Sequence, residues 1–107
     1  MARIRDTPLV HDDLVRAINE TRLIEFVYKT GRLRVAEPHD YGVKNDVDSL
    51  LAYQISGESR SGAPHGWKQF EVGGMRDLRV LERRFAGSRT DARQHHGVWD
   101  VLYARVK

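Results

Sequence analysis

Two groups of side chains in this sequence have the types and spacing to do chemistry. The first gathers Ser59, Arg60 and Ser61 between Gly57, Gly62 and Gly66, with Trp67 and Lys68 immediately after. Backbone amides freed by glycines, hydroxyls and a guanidinium can hold a phosphate, and an indole face can stack a base. Arg32 and Arg34 alternate with Leu33 and Val35, so both guanidiniums point to one face of a strand. There they can converge with Lys68, although strict alternation puts Lys68 on the Phe70 face and lets it reach a groove only from the strand's end. Arg34, Ser59, Arg60, Ser61, Trp67 and Lys68 are therefore the candidate ligand-binding residues. Bland readings stay open beside this one. Gly, Ser and Pro at six of the ten positions 57–66 also make a solvated hairpin loop. Trp67 can plug a barrel end, and Arg34 can pair with Glu25 or Glu71 across a sheet.

The second group is histidine-centred. Glu37-Pro38-His39-Asp40-Tyr41 has an imidazole between carboxylates, and with Arg34 it can be drawn as an enzyme acting on a phosphorylated substrate. No serine or cysteine nucleophile with a sequence signature accompanies it, and a histidine beside a proline turn is more often a hydrogen-bonded structural residue. His95-His96 lacks the i, i+4 geometry of a helical zinc site, and the aspartates of His11-Asp12-Asp13 serve as helix caps. There is no phosphate-binding P-loop, dinucleotide fingerprint or nucleophile elbow. The expectation is no catalytic residue, no metal and no cofactor.

These residues must be positioned by short elements. Residues 1–10 carry no periodic apolar pattern and contain Pro8, which reads as a mobile lead-in. Asp12 or Asp13 caps a helix to Glu20 with Leu14, Val15, Ala17 and Ile18 as its apolar stripe and Val10 as a staple. Ile24, Phe26 and Tyr28 then alternate with polar residues in a strand that turns at Thr30-Gly31. The return strand, Arg32 to Glu37, is expected to stop at Pro38, with His39–Gly42 as a turn. Ser49–Ser56, the most apolar run, is the central strand, Trp67–Val72 is the next, and Leu78, Val80 and Leu81 mark the last. Trp99, Leu102, Tyr103 and Val106 recur at i, i+3, i+4 and i+7, which predicts a closing helix. That stripe can pack on its own barrel or on another subunit.

The chain has 107 residues, 40% hydrophobic and 31% charged, with mean hydropathy −0.58. That suits one small globular domain and excludes an apolar membrane span. Without cysteine or a secretory leader, the chain is expected in the cytoplasm. Residues 1–75 carry 10 basic and 11 acidic side chains, net −1, whereas 76–107 carry 8 and 4, net +4. Arginine supplies 14 of the 18 basic residues, a bias that suits phosphate recognition and that a high-GC genome produces equally well.

Leu14 to Leu81 resembles the WYL domain. The residues that carry the likeness are Ala17-Ile18, Phe26-Val27-Tyr28, Arg34-Val35-Ala36-Glu37-Pro38, Leu50-Leu51-Ala52-Tyr53, Phe70 and Leu78-Arg79-Val80-Leu81. The resemblance implies a mainly β (α+β) fold, a small SH3-like or Sm-like five-stranded barrel over 11–82. A short N-terminal helix precedes it, and a basic connector and C-terminal helix follow over 83–107. It implies a non-catalytic ligand-binding module of bacterial transcription regulation, binding nucleotides or nucleic acid through an arginine-lined groove. Three positions depart from the family pattern. Asp48 and Ser49 stand where the Trp-Tyr pair would, Glu71 follows the Phe in place of Arg, and Gly74 stands where a later Arg precedes an apolar residue. Too few residues precede Leu14 for a helix-turn-helix, so a standalone copy is expected. The reading is thus a WYL-like module for a nucleotide or single-stranded nucleic acid, with no membrane partner. The alternative is a protein-interaction or self-assembly module, a homodimer for example, acting through Trp99, Leu102, Tyr103 and Val106.

Overall fold

The computed structural model describes residues 2–57 and 65–107, with side chains from Val10 onward. Helix α1 spans Ala2–Asn19 and is followed by strands β1 (Arg22–Tyr28), β2 (Leu33–Lys44), β3 (Val47–Gly57), β4 (Gly66–Glu71), β5 (Met75–Arg84) and β6 (Val101–Arg105). Short 3-10 turns lie at Val72–Gly74 and Ala92–Gln94. All pairings are antiparallel, in the order β4-β3-β2-β1-β5, with β6 added on β2.

β2 organises the sheet. Along one edge it pairs with β3 over its whole length, while its other edge is shared by β1, opposite Leu33–Ala36, and β6, opposite Asp40–Val43. The strand runs through Pro38, where the sequence reading ended it. Pro38 lies at a bulge between the β1 and β6 pairings, a place where its missing N–H interrupts no ladder on that edge. Asn45 and Asp46 both have positive φ, 53° and 64°, and form the two-residue turn into β3.

Three expectations are corrected. The sheet has six strands and does not close into a barrel: β4 pairs with β3, β5 pairs with β1, and the 3-10 turn joins them. Helix α1 begins at Ala2, so Pro8 removes one intrahelical donor without ending it, and Asp12 and Asp13 lie inside the helix instead of capping it. The expected C-terminal helix is strand β6. Past Ala36, β1 leaves the backbone of Asp40–Val43 without a partner, and β6 supplies it. Unpaired buried backbone groups cost more than helical propensity returns, so pairing overrides the i, i+4 pattern. Gly42 permits this approach, since a Cβ there would lie 2.0 Å from the Val101 carbonyl oxygen.

The core follows the apolar alternation. Ile24, Phe26, Ala36, Leu50, Ala52 and Phe70 face Leu14, Ala17 and Ile18 of α1, with Tyr28 half-buried against them. Phe70 packs edge-on against both Phe26 and Tyr28 at 4.9 Å. Ala104 and Val106 join the same cluster from the tail. No helix among the described residues is long and apolar enough to cross a membrane.

Candidate functional site

Arg34 lies on the inner face of the sheet. It pairs in register with Phe26 on β1 and Gly57 on β3, and only 6% of it is exposed. Its guanidinium sits 5.4 Å from the Tyr28 ring and 5.6 Å from the Phe70 ring, and its Nη1–H donates to Gln54 Oε1 at 3.2 Å. Among the described residues no carboxylate lies within ion-pair distance, and Nε is buried without a hydrogen-bond partner. The two carboxylates the sequence offered as its partners are engaged elsewhere: Glu25 with Arg79 at 3.1 Å, Glu71 near Lys29 at 4.0 Å. Ring faces offset part of the cost of burying a cation, and among the described residues the guanidinium has no counter-charge.

Lys68 shares this face. It opposes Ala52, two pairs along from Gln54–Gly66, and alternation aligns it with Phe70. Trp67 therefore points the other way. The outer face carries a registered row, Glu37 on β2, Tyr53 on β3 and Trp67 on β4. The candidate residues are thus divided: Arg34 and Lys68 inside, Trp67 outside. Ser59, Arg60 and Ser61 lie outside the described residues, and Gly57, just before them, is packed by its backbone against Leu33 and Arg34.

The outer row is covered by the segment between β5 and β6. Arg89 Nε and Nη2 donate to the Glu37 carboxylate at 2.8 and 3.2 Å, and the guanidinium lies 3.5 Å from the Tyr53 ring centre. The bond to Glu37 raises the Arg89 pKa. Trp67 Nε1–H donates to Asp91 at 3.0 Å, which lowers the Asp91 pKa, and the His95 imidazole stacks on the indole at 4.8 Å and 19°. His39, fully buried at the bulge, links the layers. Its Nδ1–H donates to the Glu37 carbonyl at 2.9 Å, which leaves Nε2 to accept the Arg89 N–H at 3.2 Å. Both nitrogens are used by the neutral ring, and burial lowers its pKa. His39 is therefore a structural histidine.

A second clamp lies beside it. Asp40, also fully buried, accepts two bonds from Arg105 at 2.9 and 3.1 Å and one from His96 Nδ1. His96 thereby serves as a tie between the tail and β2. No group of three or more metal-ligating side chains is found among the described residues.

The tail residues proposed for interaction do not form one face. Val106 is buried in the core, Leu102 and Tyr103 are about two-fifths exposed, at 40% and 42%, and Trp99 donates its indole N–H to the His96 carbonyl at 2.6 Å. Tyr103 packs on His11 and Tyr41. The His11 bond partner, the Tyr41 hydroxyl, is pushed up to about 12 by burial. A separate cleft of about 320 Å3, lined by Tyr28, Lys29, Lys44, Asn45, Val47, Ser49, Gln69 and Glu71, includes none of the candidate residues.

The sequence reading missed Gln54, Tyr53, Arg89, Asp91 and Arg105 as site residues. Period-two alternation on β2, β3 and β4 could have placed Glu37, Tyr53 and Trp67 on one face. Nothing local marks Arg89 as a partner of Glu37, 52 residues away.

The fold has a known counterpart. It is similar to part of proteasome accessory factor B/C (PafBC) of Arthrobacter aurescens, with a TM-score of 0.58 and 19% identity over 83% of this chain. The chain spans 14% of the length of that protein, and at this identity the likeness is one of fold. No family profile and no curated protein matches the sequence.

Proposed function

We propose that this chain is a non-catalytic, WYL-like regulatory module that binds an anionic ligand, a nucleotide or single-stranded nucleic acid, at the inner-face end of the sheet around Arg34. The observation that carries this reading is a guanidinium, 6% exposed, with one neutral hydrogen-bond partner, an unsatisfied Nε and no carboxylate among the described residues. An anion arriving there supplies the missing counter-charge. The WYL resemblance of Leu14–Leu81 supports it, and the fold shared with part of PafBC is in keeping with it. Lys68, and with it Ser59, Arg60 and Ser61, complete the proposed site.

Binding of a short single-stranded oligonucleotide and of a nucleotide at low salt tests this, with wild type compared against Arg34→Ala. Loss of a shielded charge-assisted contact should weaken binding by about 1–3 kcal/mol, roughly 5- to 150-fold. Binding that is absent in wild type, or unchanged in Arg34→Ala, rejects the site. A second reading, a protein-interaction module, is favoured by strand β6, an edge strand with Val101, Leu102 and Tyr103 all at least 40% exposed. Association through that edge should resist salt, whereas phosphate contacts weaken steeply with it.

A further inference from the structure

The outer row of Glu37, Tyr53 and Trp67 recognises one short segment of the same chain in detail. Arg89 meets the row with a two-pronged bond to the Glu37 carboxylate and a guanidinium laid on the Tyr53 ring, and Asp91, two residues on, accepts the Trp67 indole N–H. The row thus presents a carboxylate that is 12% exposed, an aromatic platform and an aimed donor, which together suit a guanidinium followed by an acceptor. The occupying side chains stay partly open to solvent: 38% of Arg89 and 49% of Asp91 is exposed. Glycines with positive φ bracket the segment, Gly87 at 112° and Gly97 at 66°.

We propose that this row is a peptide-docking site, occupied in cis by Arg89-Thr90-Asp91, and that its partner in trans is a protein segment carrying an arginine and an acidic residue with one residue between them. Charge selects this occupant. Once Arg89 leaves, Glu37 needs a cation, and the phosphate backbone of a nucleic acid would meet a carboxylate there. The cis segment works as a built-in competitor. Tethered at both ends, it has an effective concentration in about the millimolar range, so a free peptide binds weakly until the cis side chains are removed.

The test uses the full chain and a capped peptide, acetyl-Ser-Arg-Thr-Asp-Ala-amide, followed by NMR through the Trp67 indole N–H. Arg89→Ala with Asp91→Ala should bind the peptide saturably and at least about 10-fold more tightly than wild type. Adding Glu37→Gln to that variant should abolish the gain. A folded double variant that ignores the peptide, or one that binds equally well with Glu37→Gln, overturns the proposal. If the double variant does not fold, Asp91→Ala alone carries the same comparison, because its half-exposed carboxylate bears on the fold through Trp67, His95 and the segment's own turn. Strengthened binding supports the site, and unchanged binding sinks it. Arg34 lies on the opposite face of the sheet, so neither outcome depends on the anion site.

Discussion

Asp40→Asn isolates the contact that fastens the tail to the sheet. Asp40 is fully buried on β2 and accepts three hydrogen bonds from the tail, two from Arg105 on β6 and one from His96. Asparagine preserves the shape but has one acceptor oxygen, and its amide N–H groups would face a guanidinium or imidazole that also donates. Hydrogen bonds to charged groups contribute about 1.5–3 kcal/mol each when shielded. Arg105 is 39% exposed, so its two bonds are discounted for solvent screening. The net expectation is a loss of about 2–4 kcal/mol. For a domain of this size that lowers Tm by roughly 8–20 °C. Thermal unfolding followed by circular dichroism measures the global loss, and amide exchange at Val101–Arg105 should rise with it, since β6 has lost its anchor. Replacing Arg105 by Met in the same background should cost less than it does in wild type, with a coupling of about 1–3 kcal/mol. A Tm within about 2 °C of wild type, with β6 amides still protected, would refute the reasoning and place the tail's stability in its apolar contacts.

Two further predictions separate a strand from a helix in the tail and test the buried imidazole. Leu102→Asp should cost under about 1 kcal/mol because Leu102 is 40% exposed, whereas Val106→Asp, at a position 6% exposed within the core, should cost more than about 3 kcal/mol. A helical stripe would make the two losses alike, and denaturant titration of both variants decides. His39 is held neutral below its ordinary pKa by burial, so the unfolded chain takes up a proton near pH 6.5 while the folded chain does not. Its contribution is therefore fully present above about pH 6.5 and is lost as pH falls below it, at a slope of up to about 1.4 kcal/mol per pH unit. Stability measured against pH should show a shallower acid fall in His39→Gln, and equal slopes would argue that the ring protonates freely in the fold.

The elements were legible where the pattern is local. Period-two alternation in Ile24-Phe26-Tyr28 and Leu50-Ala52, and Phe70 after it, marks strands whose apolar faces form the core with Leu14, Ala17 and Ile18. Pro38 and the Trp99–Val106 stripe misled because both are local signals overruled by strand pairing. The β6 edge arises from pairings across about 60 residues, such as Asp40 with Arg105, and the bulge at Pro38 lies in the β2–β3 pairing, where Pro38 opposes Ala52. The candidate site divides along the same line. Residue types identified Arg34, Lys68 and Trp67, yet only the register of β2, β3 and β4 puts Trp67 on the face opposite the other two.

By itself, then, the sequence determined the antiparallel β character, the apolar face of each central strand and the presence of an arginine among them, because side-chain alternation and turn chemistry act over a few residues. The tertiary structure decided that the sheet stays open and that the tail adds a strand in place of a helix. It also left Arg34 buried with no carboxylate among the described residues beside it, while Arg89 took Glu37. Those outcomes depend on which backbone edges and which charges are left unpaired once the strands are together, and an unpaired edge or charge exists only in the assembled fold.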